Sequence, residues 1–299
     1  MLNENFELGQ IGLWTGVFDA MPSSLAKEYV AYIEELGFST LWLPETVGRD
    51  PFVSATMFLG HTTKLNLATG IANVYARDAV TMANTQRALE EAFPGRFLLG
   101  LGVSHEHLVN RVRKHDYSKP YSYMVDYLDD MDNTIFKAVG PSERSGTVLA
   151  ALGPRMLKLA ASRADGAHPY FVPVAHTAYA REILGGEAIL APEQMVILDT
   201  NAESARATAR LHMSPYMRAP NYQNNLLRHG FVEDDLADGG SDKLVDAIVA
   251  WGDVSVAVER VAAHLDAGAN HVAVQLLSAD GASLPREQLS ELASGLLAL

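Results

Sequence analysis

Glu45 closes the apolar run Leu41-Trp42-Leu43-Pro44. A carboxylate set just past a buried strand can accept a hydrogen bond from a ring nitrogen or act as acid or base, and it can equally pair with a neighbour such as Arg49. His105-Glu106-His107 would place two imidazoles on one side of an extended segment, a spacing compatible with a divalent cation. The acidic partners and further histidines of a metal site are not placed around it, His115 and His168 being the nearest candidates, so no metal is assigned. Gly153-Pro154-Arg155 has two readings. It is a helix start whose free N–H groups and dipole would seat an anion such as phosphate, or it is a plain connection with a helix-initiating proline. Asn73, Tyr75 and Arg77 could bind a ligand or simply build a turn. Hydrolase and nucleotide signatures are missing: there is no Gly-x-Ser-x-Gly elbow and no P-loop, and Gly100-Leu101-Gly102-Val103-Ser104-His105 lacks the last glycine of a dinucleotide fingerprint.

The elements that must position these residues alternate along the chain. Ile11 to Trp14 reads as a strand, and Leu25, Tyr29, Ile33 and Leu36 then recur at helical spacing until Gly37. Thr40 to Leu43, Leu65 to Ile71 and Phe97 to Val103 are predicted strands, with helices from Pro51 and Ala79 between them. A polar excursion from Ser104 to Lys119 precedes a helix from Tyr121 to about Lys137. Val148 to Leu152, Ala167 to Phe171, Met195 to Thr200 and His271 to Leu277 complete eight strands. Their helices start at Pro154, near His176, at Ala202 and Ser255, and finally at Pro285. Pro220 to Asp253 breaks the rhythm and carries about two extra helices.

Helical crossovers of this length favour parallel strands of one handedness, and eight even units favour a closed (β/α)8 TIM barrel over an open sheet. The expected architecture is a single domain over residues 1–299, with insertions after strand 4 and before strand 8. In such barrels the site lies at the C-terminal strand ends. Those ends are Trp14 and Thr15, Glu45 and Thr46, Gly70 to Asn73, Ser104 to His107, Leu152 and Gly153, His168 to Tyr170, Thr200 and Asn201, and Gln275 with Ser278. Few are charged, which suits a flat, largely uncharged ring better than metal-activated hydrolysis.

Composition narrows the partners. The 299 residues carry 23 Lys and Arg against 36 Asp and Glu, a net charge of −13 that disfavours nucleic acid. The absence of cysteine removes disulfides, thiolate metal sites and thiol nucleophiles. With no basic n-region ahead of an apolar run and no 18-residue apolar stretch, a cytoplasmic protein without a membrane partner is expected.

Taken in order, Leu41-Trp42-Leu43-Pro44-Glu45, Thr69-Gly70-Ile71-Ala72-Asn73 with Tyr75 and Arg77, Arg96 to Val103, Leu152-Gly153-Pro154-Arg155 and Ala164-Asp165-Gly166 resemble the bacterial luciferase-like family. Within it they resemble the branch of coenzyme F420-dependent, deazaflavin-using oxidoreductases. The resemblance spans nearly the whole chain. It implies a luciferase-like barrel whose cofactor lies across the strand ends, backed by a bulge after the third strand with a non-prolyl cis peptide at Gly70-Ile71.

Carried over by position, the resemblance places Glu45 beside the ring, Asn73 at its edge, Ser104 and His105 in the loop after the fourth strand, and Gly153 at the phosphate side. Tyr170 follows the sixth strand. The expected cofactor-binding set is thus Trp14, Glu45, Gly70, Ile71, Asn73, Ser104, His105, Leu152, Gly153, Pro154 and Tyr170, with Glu45 and His105 as catalytic candidates. Many relatives have a histidine after the acid at the second strand end, where this chain has Thr46, so Glu45, His105 or His168 would have to move any proton. The implied activity is hydride transfer between F420 and a small organic substrate. The alternatives are an FMN-dependent monooxygenase and a barrel that binds a ligand without chemistry. A homodimer is expected.

Overall fold

The computed structural model describes residues 6–143 and 146–299. Its parallel strands are β1 (Ile11–Trp14), β2 (Thr40–Leu43), β3 (Asn66–Thr69), β4 (Phe97–Gly102), β5 (Thr147–Leu149), β6 (Gly166–Ala167), β7 (Glu193–Leu198) and β8 (Val272–Leu276). β1 pairs with β2 and β8, and the order then runs through β3, β4, β5 and β6. A bent lead-in to β7, Ile189–Leu190, pairs with β6, and the Ala191 and Glu193 N–H groups donate to Ala167 and Pro169. β7 itself pairs with β8, so the sheet closes on itself as the expected barrel.

Alternation along each strand sorts the side chains. Leu13, Leu41, Leu67, Leu99, Leu149 and Val274 pack with helix residues such as Val30, Ile33, Phe58, Leu89 and Leu157. Trp14, Trp42, Ala68, Leu98, Val148, Ala191 and Ala273 form the separate interior cluster. Each large side chain so buried contributes about 1.5–3 kcal/mol relative to leaving it in water, which makes the barrel the stiff part of the molecule.

The helices begin where their caps dictate. After α1 (Ser23–Leu36), Asp50 accepts from the Phe52 and Val53 N–H groups ahead of α2 (Pro51–Leu59), and Asp78 accepts from Thr81 ahead of α3 (Ala79–Ala92). Helix Pro154–Arg163 starts differently: Gly153 stands at its N-cap with no side chain satisfying the first amides.

Three differences from the sequence expectation concern the site. The third strand does not run unbroken to Ile71 but stops at Thr69 and resumes as Ala72–Asn73 beside β4, with the cis peptide that the family resemblance implied at Gly70-Ile71 between them. Gly100 and Gly102 permit that path, because a Cβ on either would collide with the Thr69 carbonyl or the Ile71 side chain. The excursion after β4 contains a helical turn, Leu108–Val112, before helix Pro120–Asp132. The insertion before β8 is richer than two helices. It holds Pro220–Arg228, Glu233–Leu236 and Asp242–Ile248, and then a strand, Val249–Gly252, paired with the upper half of β7. That strand is only four residues long and directly follows a helix, so periodicity could not separate it from the preceding apolar run. Met195, Ile197, Met213, Tyr222, Leu226 and Phe231 pack together and fasten the insertion beside the barrel mouth.

Candidate active site

A cavity of about 570 Å³ opens at the C-terminal ends of the strands, within the range of small-molecule sites. Trp14, Glu45, Gly70, Ile71, Ser104, His105, Leu152, Gly153, Pro154 and Tyr170 all line it. Asn73 does not: it is buried behind the wall, its N–H donating to Glu45 (2.8 Å) and its Oδ1 accepting from the Tyr75 N–H (2.9 Å). It builds the turn after the bulge. Thr200 and Asn201 also lie off the cavity lining, Asn201 serving as the N-cap of helix Ala202–Met217.

The floor is aromatic. Trp42 is fully buried and stacks on His168, ring centroids 4.2 Å apart, while its Nε1 donates to His271 Nε2 (2.9 Å). His271 Nδ1 lies 2.8 Å from the Gly9 carbonyl and His168 Nδ1 lies 2.7 Å from the Ala191 carbonyl. A carbonyl only accepts, so both rings carry their proton on Nδ1. Burial lowers both imidazoles to about 4 and keeps them neutral. Trp14 Nε1 donates to the Gly70 carbonyl (3.0 Å), fixing the bulge against the first strand.

One wall is an ion-pair cluster. Glu45 takes Arg77 in a fork, 2.6 and 2.9 Å, together with the Asn73 N–H, and Arg113 stands 3.6 Å away. Arg77 also reaches Asp50 (2.9 Å), tying the end of β2 to the start of α2. Burial alone would weaken the Arg77 cation, but its bonds to Glu45 and Asp50 outweigh that and hold it charged. Arg49, the partner anticipated for Glu45, instead donates to Asp19 and to the Met21 carbonyl.

The opposite wall is neutral. The Tyr170 hydroxyl meets Tyr216 (2.8 Å) and Gln275 (2.9 Å), and its ring lies 5.1 Å from Trp14. Burial first, then Tyr216 and Glu193, raise the Tyr170 phenol, which stays protonated. His105 sits between the walls 5.6 Å from the Tyr222 ring, and burial, with His107 second, lowers its imidazole. The loop that carries it is held by Tyr117, whose hydroxyl donates to the Ser104 carbonyl (2.9 Å).

At the mouth the space around Gly153 is open, Arg155 lies over the Tyr121 ring (4.1 Å), and Arg228 enters from the insertion. Neither arginine pairs with a carboxylate among the described residues. Tyr117, Tyr121, Tyr216, Tyr222 and Arg228 were not anticipated as site residues. Tyr117 and Tyr222 are the single tyrosines of the two irregular segments, and Tyr121 and Tyr216 fall in predicted helices, so the sequence carried no signal for them. Among the described residues no group of three His, Cys, Asp or Glu could hold a metal ion, and His105 and His107 stack at 6.1 Å without further ligands. No described helix is long and apolar enough to cross a membrane.

A parallel barrel with its cavity at the C-terminal strand ends, floored by aromatic rings and a bulged third strand, has the site placement of the α/β-barrel enzymes. Residues 15–271 match the family described as Luciferase-like monooxygenase, and the chain belongs to that family of oxidoreductases. It is 25% identical over 334 aligned positions to a Mycobacterium tuberculosis protein provisionally assigned as a coenzyme F420-dependent oxidoreductase, covering 91% of this chain and 96% of that one. Its fold is similar to an F420-dependent secondary alcohol dehydrogenase in complex with an F420-acetone adduct (TM-score 0.76, 14% identity, 97% and 99% of the chains). It is also similar to the oxygenating constituent of a Pseudomonas putida diketocamphane monooxygenase in complex with FMN (TM-score 0.69, 13% identity, 96% and 98%).

Proposed function

We propose that this protein transfers a hydride between coenzyme F420 and a small organic substrate. The observation that carries this reading is the shape of the cavity: an apolar slot over the Gly70-Ile71 bulge, leading to an uncapped helix start at Gly153 with Arg155 and Arg228 beside it. The residues fit such a cofactor. A planar ring finds Ile71, Trp14 and Tyr170 as walls, and an anionic tail finds free amides and two unpaired guanidinium groups.

When bound there, the deazaflavin supplies the carbon that gives or takes the hydride. The chain's own contribution is orientation and dryness. Glu45 already accepts three N–H groups, so its task is to lock Arg77 and the bulge, and the proton work falls to His105. Neutral at working pH and open to the cavity, His105 can accept a hydrogen bond or a proton from a substrate oxygen. Thr46 cannot act as a base there.

The FMN reading shares the ring seat. Parallel titration with F420 and FMN by fluorescence and calorimetry decides: F420 binding at micromolar or tighter with FMN much weaker is expected, the reverse preference would move the enzyme to oxygen chemistry, and binding of neither would sink both. A homodimer is part of the proposal, and a monomer by light scattering would remove it.

A further inference from the structure

Eight buried side-chain polar atoms have no hydrogen-bond partner among the described residues. They belong to Arg49, Tyr75, Asn84, His168, His176, Glu193, Asn225 and His229. Of these residues His168 alone lines the cavity at the strand ends. Its orphan atom is Nε2. Because Nδ1 gives its proton to the Ala191 carbonyl, Nε2 carries a lone pair and can only accept. It cannot turn away, since the ring is clamped on Trp42 and only 1% exposed.

Nε2 also sits under the bulge. A Cβ on Gly70 would lie 3.1 Å from it and 2.6 Å from Trp14 Nε1, so the orphan atom lies beside the bulge against which a flat ring would rest. A buried acceptor left without a donor is costly, and such groups in native proteins usually await one from a ligand or an ordered water.

We propose that His168 Nε2 recognises the lactam N–H on the pyrimidine edge of the bound deazaflavin or flavin ring, and so fixes which end of the ring enters the barrel first. This rests on the ring-binding function proposed above and deepens it. The contact is one of recognition: an acceptor that holds a ring N–H sets position and takes no part in the hydride step. His168 is accordingly a positioning residue.

The ligand can be altered without touching the fold. FMN, N3-methyl-FMN and F420 are titrated into the native protein and into His168→Ala, and the imidazole nitrogens are followed by 15N NMR, with Nε2 assigned by its loss in the variant. The native protein should bind N3-methyl-FMN about tenfold or more weakly than FMN, with the penalty lost in His168→Ala. The Nε2 resonance should move when FMN or F420 binds and stay in place with the methylated ring. Equal affinities for the two flavins, or an unmoved Nε2 in a protein that binds F420 or FMN, overturns the His168 assignment alone. A shift that appears only when an alcohol is added to the loaded protein would assign the acceptor to substrate and overturn it too. Binding of no ring at all overturns this inference together with the function it rests on.

Discussion

The two walls of the cavity use polarity in opposite ways. The wall at the ends of β2 and β3 is charged and saturated: Glu45, Arg77, Asp50 and the Asn73 amide satisfy one another within 2.6 to 2.9 Å. The wall at β6, β7 and the insertion is neutral, and its polar atoms are only partly used. His168 Nε2 and Glu193 Oε1 have no partner there. The Glu45, Arg77 and Asp50 charges are therefore already satisfied by one another, whereas the groups left to meet a ligand are His168 Nε2 on the neutral wall and the Arg155 and Arg228 guanidinium groups at the mouth. Charge draws attention in a sequence, but a buried ion pair that is geometrically complete has little left to offer a ligand.

Removing Arg77 is the severest way to break the comparison. Its side chain is 10% exposed and that of Glu45 is 7% exposed, so Arg77→Met leaves the Glu45 carboxylate only the Asn73 N–H and Arg113 at 3.6 Å, at a cost of up to about 3–5 kcal/mol. Denaturant unfolding should show this loss in full. If the charged wall were instead the reactive one, the variant would keep its stability and lose only turnover. Gly70→Ala tests the junction between the walls. The added methyl would meet Trp14 Nε1 at 2.6 Å, and overpacking of this kind costs about 1–3 kcal/mol. The expected result is ring binding weakened by roughly ten- to a hundredfold alongside a modest drop in melting temperature. Unchanged affinity for both F420 and FMN would show that the ring does not lie on the bulge.

Much of the frame was legible because it depends on periodicity. Strands and helices alternate with clear spacing, and closing eight units into a barrel follows from connection length and handedness. The strand-end rule then led to Trp14, Glu45, Gly70, Ser104, Gly153 and Tyr170, all of which line the cavity. What remained hidden depends on long-range pairing. Glu45 meets Arg77 rather than Arg49 because the bulge after β3 carries Arg77 back across the mouth, a geometry that local propensity does not contain. The open lone pair of His168 exists only because β6 lies against the lead-in to β7, which puts the Ala191 carbonyl on the other ring nitrogen. Tyr216 and Tyr222 reach the cavity from helices whose placement is set by packing on Met195 and Ile197, and short apolar runs in an irregular segment do not disclose that.

The neutral wall also makes a smaller and separate mark on stability. Burial raises the Glu193 carboxyl to about 8, offset in part by the Phe171 N–H. A carboxyl raised above its unfolded value near 4.5 keeps a proton that the unfolded chain has lost, so its contribution is full below pH 4.5 and is lost as pH climbs towards 8. His168, His176 and His271, lowered to about 4, and His264, lowered to about 3, work the other way. Their contribution is full only well above about 6.5 and is lost as pH falls towards 4. Between pH 4.5 and 6.5 four histidines oppose one carboxyl, so stability should rise with pH. At pH 6.5 the unfolded histidines are still half protonated, so their gain continues to about pH 7.5 and offsets the loss from Glu193, whose slope is at most about 1.4 kcal/mol per pH unit; stability should therefore be nearly level from 6.5 to 8. Glu193→Gln keeps an acceptor for the Phe171 N–H while removing the titration. Unfolding free energies at pH 5, 6.5 and 8 should therefore level off above 6.5 in the native protein and keep rising to 8 in the variant. Identical upper limbs in the two proteins would mean that Glu193 is ionised in the folded protein, and the wall described as neutral would then carry a buried charge of its own.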